Sequence, residues 1–335
     1  MFTLGADLIS GPAVHPLVLL LASLALDALF GEARGPLARL PHPVRLIGTV
    51  VAFLDRKLNR QDRSATDLRL RGALTVASVA ALVFAVGWVV TCIGRAMPFG
   101  WIVELALTAS LIAQRSLDRH VQRVAVGLAE SLDAGRVAVA HIVGRDVTRL
   151  DRHGVARAAI ESCAENFSDG VVAPVFWCVL FGLPGILVYK AVNTMDSMIG
   201  YRTPKYLAFG MAAARLDDLL NFIPARLAGV FIVLAAAFVP AAKSMAALKV
   251  MRRDAKKHRS PNAGWPEAAM AGALGLALAG PRRYPMLTVD DPWIGDGTGE
   301  ADAADIHRAL AVFRGACAMN ALAVLLVILA HLALA

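Results

Sequence analysis

Charge is what this sequence has least of. Asp, Glu, Lys and Arg make up 18% of its 335 residues and apolar residues 57%, where a typical soluble chain is roughly a quarter charged. So much apolar surface has to face something other than water, which excludes an ordinary cytosolic enzyme and a disordered chain. Cysteine is scarce as well. Cys92, Cys163, Cys178 and Cys317 form no CxxC pair and lie at no metal-ligand spacing from a histidine, so neither a disulfide framework nor a zinc site follows. The absence of any Gly-Lys dipeptide excludes a Walker A loop, and HExxH and GxSxG are missing too. Gly295-Asp-Gly297-Thr-Gly299 is glycine-rich, but nothing before it reads as a strand, so a dinucleotide fingerprint is not expected. Internal repeats and low-complexity tracts are absent.

What the chain has instead is long uncharged runs. A bilayer core needs about 20 mostly apolar residues as helix. Nothing is charged between Arg71 and Arg95, and only His331 interrupts the stretch after Arg314. A third run lies between Asp169 and Lys190, broken by Gly182-Leu183-Pro184-Gly185, and a fourth over Leu227–Ala242, reaching back to Ile223 if Arg226 snorkels. Residues 14–30 (with His15 and Asp27) and 97–114 (with Glu104) are further candidates. The first of these lacks the basic leader of a cleaved signal peptide. The expected fold is therefore all-α, a polytopic membrane protein with five or six spans and helical cytoplasmic segments. Ionisable residues inside spans are functional candidates, although Asp27 and Glu104 would also suit an interface.

The charge balance is +8, and 27 of the 34 basic residues are arginine. Such a balance points to phosphates, on lipid headgroups or on a ligand, and away from nucleic acid in so apolar a chain. Polar blocks 31–71, 115–169, 190–222 and 243–308 separate the spans, and the whole of 1–335 reads as one domain. Positive-inside bookkeeping puts the first two blocks in the cytoplasm but 190–222 outside, against its own Lys190, Arg202, Lys205 and Arg215. A broken hairpin over 170–189, entering and returning, would remove that conflict. Within 115–169, Leu117, Val121, Val124, Leu128 and Leu132 form one helical stripe, Asp133-Ala-Gly135 punctuates it, and a second helix runs from about Val155 to Asn166.

Polar clusters beside these spans carry the chemistry. In Glu161-Ser-Cys-Ala-Glu165-Asn166-Phe-Ser168-Asp169, the carboxylates Glu161, Glu165 and Asp169 stack at helical spacing. Hard oxygen ligands of this kind suit Mg²⁺, which commonly bridges one or two carboxylates and substrate phosphates; a solvated helix face is the plain alternative. In Lys190–Arg202, Asn193, Asp196 and Ser197 share one helix face, Lys190 lies a turn earlier, and Gly200 reads as the terminator. In Arg215–Arg226, Asp217 is in register with Asn221 and Asp218 with Arg215, and Pro224 begins the next helix. The fourth stretch, His258-Arg259-Ser260-Pro261-Asn262-Ala-Gly264-Trp265-Pro266-Glu267, is a tight loop leading into a helix at Pro266-Glu267. There His258 and Arg259 could meet an anion.

Taken in order, AENFSDGVVAPVFW (164–177), KAVNTMDSMIGYR (190–202), ARLDDLLNFIPARL (214–227), HRSPNAGWPEAAMAGALG (258–275) and HPVRLIG (42–48) resemble the adenosylcobinamide-phosphate synthase family of cobalamin biosynthesis, the CobD/CbiB membrane proteins. The likeness covers essentially the whole chain. It implies an ATP-dependent acid–amine ligase of a bacterial inner membrane, working at the cytoplasmic face, which joins adenosylcobyric acid to an aminopropanol or its phosphate ester. The corrinoid would be substrate rather than cofactor, and other membrane-associated late enzymes of the pathway would be neighbours. On that reading Glu161, Glu165, Asp169 and Asp217, or Asp196 in its place, hold Mg²⁺-ATP. Lys190, Arg202, Lys205 and Arg215 neutralise phosphates, while Asn166, Asn193, Ser197, Asn221, Ser260 and Asn262 orient the corrinoid amides or the amine. The general base is His258 or one of the carboxylates. A transporter and a non-catalytic regulator like the sister AmpE branch are the competing readings.

Overall fold

The computed structural model describes residues 14–31, 42–144, 146–283, 288–289 and 291–334. In chain order the helices are α1 (Pro16–Phe30), α2 (Pro43–Leu58), α3 (Ala65–Ala96), α4 (Trp101–Ser110), α5 (Gln114–Glu130), α6 (Leu132–Val139) and α7 (Arg152–Phe167). After a π turn at Ser168–Val172 follow α8 (Ala173–Ile199), α9 (Met211–Leu220), α10 (Phe222–Ala235), α11 (Ser244–Asp254), α12 (Gly264–Leu274) and α13 (Ala303–Leu334). Among the described residues, sheet is confined to two antiparallel pairs of two-residue strands, Leu278–Ala279 with Trp293–Ile294 and Arg282–Arg283 with Thr288–Val289. The fold is all-α, as the composition implies.

The chain forms two compact units, each discontinuous in sequence. One comprises the described parts of Met1–Ala113, Ala173–Asn221 and Val324–Ala335; the other comprises those of Gln114–Val172 and Phe222–Ala323. In the first, two helices start in the same way. His15 Nδ1 accepts the Leu17 N–H ahead of Pro16, and His42 Nδ1 accepts the Val44 N–H ahead of Pro43. The imidazole satisfies an orphan amide while proline presets the first turn. The His42 ring also meets Ser110 O through Nε2 at 3.0 Å, tying the HPVRLIG stretch to the end of α4.

Among the described residues, three helical stretches are long and apolar enough to cross a membrane: α3, the run Arg152–Ile199 and α13. The bent pair α9–α10 makes a fourth if it counts as one span. That is fewer than the five or six expected. The 97–114 candidate contains only the ten-residue α4, α1 has 15 residues, and α10 stops at Ala235 rather than Ala242. Each alone is shorter than the ~30 Å core at 1.5 Å per residue. Asp27 and Glu104 are both buried, so neither acid faces lipid, and Glu104 Oε1 accepts the Thr91 hydroxyl at 3.4 Å.

The Arg152–Ile199 run does not continue straight. At Gly182 the backbone takes φ 66° and ψ −151°, a conformation essentially restricted to glycine. A Cβ on Gly185 would fall 2.4 Å from Trp177 O, eight residues back; in a straight helix eight residues span about 12 Å. The helix is therefore sharply kinked at the Gly-Leu-Pro-Gly break.

In the second unit Leu117, Val121, Val124 and Leu128 are buried along one face of α5, as their spacing predicts. Asp133 and Gly135, read as punctuation, instead lie inside α6. Gly135 is needed because a Cβ there would meet Leu128 Cδ2 at 2.6 Å, so the glycine marks a close helix crossing and the break itself falls at Ser131, which caps α6. The Gly295–Gly299 loop does follow a strand, Trp293–Ile294, but one of only two residues. The loop folds onto its own lobe: Gly297 abuts Gly275 O and Gly299 O accepts from Arg157.

Candidate functional site

In the first unit, α8 and α9 bring two of the sequence clusters together. Asp217 is buried, and its two oxygens are held separately: Asn193 Nδ2 donates to Oδ1 at 3.3 Å and Asn221 Nδ2 to Oδ2 at 3.0 Å. Asn221 Oδ1 in turn accepts the Tyr189 hydroxyl at 2.9 Å. The Asp196 carboxylate exerts the strongest like-charge effect on Asp217. A buried carboxylate acted on by a second, part-buried one attracts a cation, and three amide or hydroxyl groups fix the buried one in orientation. Tyr189 was not among the residues the sequence singled out. Its signal was there, since it precedes Asn193 by four residues and so shares that helix face.

Glycine shapes the same corner. A Cβ on Gly200 would fall 1.9 Å from Asp196 Oδ1, so only glycine lets that carboxylate fold back over the end of α8. Lys190 is half-buried a turn before, where its carbonyl accepts Thr194 Oγ1. Arg202 and Arg215 are exposed, and Arg202 acts on Asp218.

Two expected ligand contacts in this unit prove to be committed elsewhere. The Ser197 hydroxyl donates to Asn193 O at 2.9 Å, one turn back on its own helix. Lys205 Nζ pairs with Asp55 at 3.1 Å and donates to Tyr206 Oη at 2.6 Å. The hydrogen bond to Tyr206, with Asp55 beside it, holds the Lys205 ammonium above the usual lysine range. Lys205 is thus a staple between α2 and the loop after α8 rather than a free phosphate ligand. A long-range partner such as Asp55 carries no local sequence signal.

In the second unit Glu161 is buried, and its Oε1 accepts the Ala279 N–H at 2.9 Å. Ala279 has φ 59°, unusual for a residue with a side chain, so this carboxylate fixes a strained turn. Asn166 Nδ2 donates to Ser162 O and Oγ on its own helix. Glu165 is exposed, and Asp169 is displaced from the α-helical stripe because the backbone widens into the π turn. Among the described residues no three His, Cys, Asp or Glu side chains gather where an ion could sit. Glu161, Glu165 and Asp169 are therefore not a three-carboxylate cradle.

The fourth cluster is a self-organised loop. Ser260 N donates to His258 Nδ1 at 3.0 Å, and Ser260 Oγ accepts the Asn262 and Ala263 amides at 3.2 Å each. His258 Nε2 lies 3.7 Å from the buried Glu267 Oε1. With Nδ1 occupied as an acceptor, the neutral ring carries its proton on Nε2 and has no free lone pair. His258 therefore organises the loop. Arg259 is paired with Asp291 at 2.7 Å, not poised for an anion. Arg226, expected to snorkel, instead lies between the Phe222 and Trp265 rings, its guanidinium carbon 3.6 Å and 4.7 Å from their centroids.

Comparison with known proteins agrees with this arrangement of motifs. The family described as CobD/Cbib protein matches residues 20–313. A Sinorhizobium protein named cobalamin biosynthesis protein CobD is 47% identical over 310 residues, covering 91% of this chain and 96% of its own. The protein of that name from Sinorhizobium fredii is 48% identical over 328 residues, covering 96% and 100%, and the one from Rhodobacter capsulatus is 45% identical over 304 residues, covering 90% and 93%. No solved structure matches. By the extent of these matches, the chain belongs to the CobD/CbiB family.

Proposed function

We propose that this chain acts in cobalamin biosynthesis as a membrane-bound, ATP-dependent acid–amine ligase, joining a carboxylate of adenosylcobyric acid to aminopropanol or its phosphate ester. Family membership supports the pathway. The observation that carries the chemistry is Asp217, a buried carboxylate oriented by two amides beside a second carboxylate, in a chain rich in arginine. A carboxylate and an amine do not condense at neutral pH without activation. In the proposed reaction a carboxylate oxygen of the corrinoid attacks the γ-phosphorus of ATP, giving an acyl phosphate and ADP. The amine then attacks the acyl carbon, phosphate leaves with the C–O bond electrons, and the nitrogen loses a proton to a base.

Phosphoryl transfer asks the protein chiefly for position and charge neutralisation. Asp217, with Asp196, provides the hard oxygen donors that suit Mg²⁺, which when bound neutralises phosphate charge. Asn193 and Asn221 keep Asp217 in one orientation, Arg202 supplies positive charge beside the adjacent Asp218, and a carboxylate serves as base. The active face is proposed to be cytoplasmic, where ATP is available.

The test is direct. The chain reconstituted in lipid nanodiscs is incubated with adenosylcobyric acid, ATP, Mg²⁺ and each amine in turn, and the new amide is sought by mass alongside ADP release. Asp217→Asn is expected to lower product formation by about 100-fold or more, the scale of losing an electrostatic group in such a site. Unchanged turnover in that variant removes Asp217 from the mechanism, and ATP-independent or absent amide formation by the wild type removes the ligase reading.

A further inference from the structure

We propose that Arg226 is the residue that receives the phosphate of a soluble substrate, held for that task by Phe222, Trp265 and Asn262. Its guanidinium lies between two aromatic faces, which keeps the fork flat and pre-oriented. Nη1 makes both recorded hydrogen bonds, to Phe222 O and, at 3.2 Å, to Asn262 Oδ1. Nε and Nη2 have no acceptor among the described residues, and no carboxylate acts on the group. Three basic residues between 253 and 259 are different. Lys257 is paired with Asp254 at 2.8 Å, Arg253 with Asp254 and Asp296 at 2.6 Å each, and Arg259 with Asp291 at 2.7 Å.

Arg226 is thus half-buried, rigid and without a counter-charge, and its unused N–H edge has the geometry that takes two oxygens of one anion. The Asn262 backbone N–H donates to the Ser260 hydroxyl, in a loop held by His258, and the Asn262 side chain is buried, so the acceptor of Nη1 sits on an ordered loop. A phosphate is the anion of matching geometry. Its sources are the nucleotide, the amine's phosphate ester or a lipid headgroup, and we assign a soluble one. The assignment rests on the ligase reading for its choice of probes, but not for its readout.

The experiment measures thermal unfolding of the full chain in phosphatidylcholine nanodiscs, titrated separately with ATP, aminopropanol phosphate and unphosphorylated aminopropanol. A parallel series contains phosphatidylglycerol. A ligand of the folded state raises the midpoint according to its affinity. The wild type is expected to respond to at least one of the two phosphates in neutral discs. Arg226→Gln should weaken that response by about 10- to 100-fold, the range of charge-assisted hydrogen bonds, with Arg226→Lys intermediate and unphosphorylated aminopropanol unaffected. If Arg226→Gln does not fold, Phe222→Leu and Trp265→Leu carry the test, because they loosen the sandwich while keeping the cation. Unchanged phosphate affinity in the foldable variants overturns the proposal. So does a wild type that responds only to phosphatidylglycerol. A wild type that binds phosphate through Arg226 but makes no amide would overturn the ligase reading and leave this assignment standing.

Discussion

Asp217 illustrates how a side chain is made useful by its neighbours. The aspartate pair Asp217-Asp218 is visible in the sequence, and its helical register with Asn221 predicts the contact found at 3.0 Å. Asn193 and Tyr189 come from another helix, 24 and 32 residues away in sequence from the groups they touch, and no local pattern pairs them. Tyr189→Phe removes one buried hydrogen bond and leaves Asn221 Oδ1 without its donor. The expected cost is about 1–2 kcal/mol of stability, read as a lower unfolding midpoint, together with reduced turnover as Asn221 loses its orientation. A midpoint equal to the wild type's would show that the hydroxyl is not engaged. Ser168 is the converse case. Helical hydroxyls elsewhere in the chain, such as Thr49, Thr75, Thr194 and Ser197, donate to a carbonyl one turn back, whereas buried Ser168 Oγ has no partner. A buried unpaired polar atom costs about 1–3 kcal/mol, so Ser168→Ala should leave the midpoint unchanged or raise it. A clear fall in the midpoint would mean that the hydroxyl is satisfied in the folded protein.

At the scale of elements, the helices of the polar blocks were legible because they carry their own signals: a buried stripe on α5, Ser and Asp caps on α3, α6 and α7, and a glycine after α8. The short lobe between α12 and α13 was not, because two-residue strands have no periodicity to read. Its shape depends on tertiary anchors. Asp254 is buried where α11 ends, and it accepts the Gly295 N–H at 2.9 Å while pairing with Arg253 and Lys257. Hydrogen bonding to Arg253, reinforced by Lys257 and the Gly295 amide, holds its carboxyl well below the usual range. A depressed folded pKa means that the stabilisation is fully present above the unfolded value of about 4 and is lost as pH falls through the lower folded value. The wild-type midpoint should therefore hold steady through neutral and mildly acidic pH and fall only below about pH 4. Asp254→Asn should lower the midpoint already at neutral pH and weaken the acid dependence; equal acid limbs in the two proteins would remove Asp254 from it. The kink in α8 gives a second test. Gly182→Ala forces a side chain into φ 66°, ψ −151°, at a cost of about 1–3 kcal/mol, whereas Gly144→Ala, with open space around its Cβ position, should be nearly silent to the same melt.

For the whole molecule, the two compact units carry no boundary signal in the sequence for a physical reason. Each compact unit is assembled from segments far apart in the chain, so no linker composition marks where one stops. Span number is hard to read from the sequence for a similar reason. An apolar run reports burial without saying whether the burial is in lipid or in protein, and α1, α4 and α10 are apolar but short. For α3 and α13 length and exposure agree. Leu74, Leu82 and Ile93 are 58%, 52% and 51% exposed on α3, and Leu326 and Leu329 are 56% and 51% exposed on α13. A water-soluble protein does not present helices of 32 residues with such faces, whereas lipid accepts them without cost. The chain is therefore expected to stay in the membrane pellet through high-salt and alkaline carbonate washes and to leave it only in detergent. The lipid-facing assignment of each helix can be tested separately. Leu82→Arg and Leu326→Arg place a charge in the middle of an apolar run, at about 2.5–3.5 kcal/mol each on the insertion scale, and should reduce the membrane-inserted fraction. Glutamine at the exposed, polar-flanked Arg60 should not. Full insertion of both arginine variants would mean that these faces meet protein or water rather than lipid.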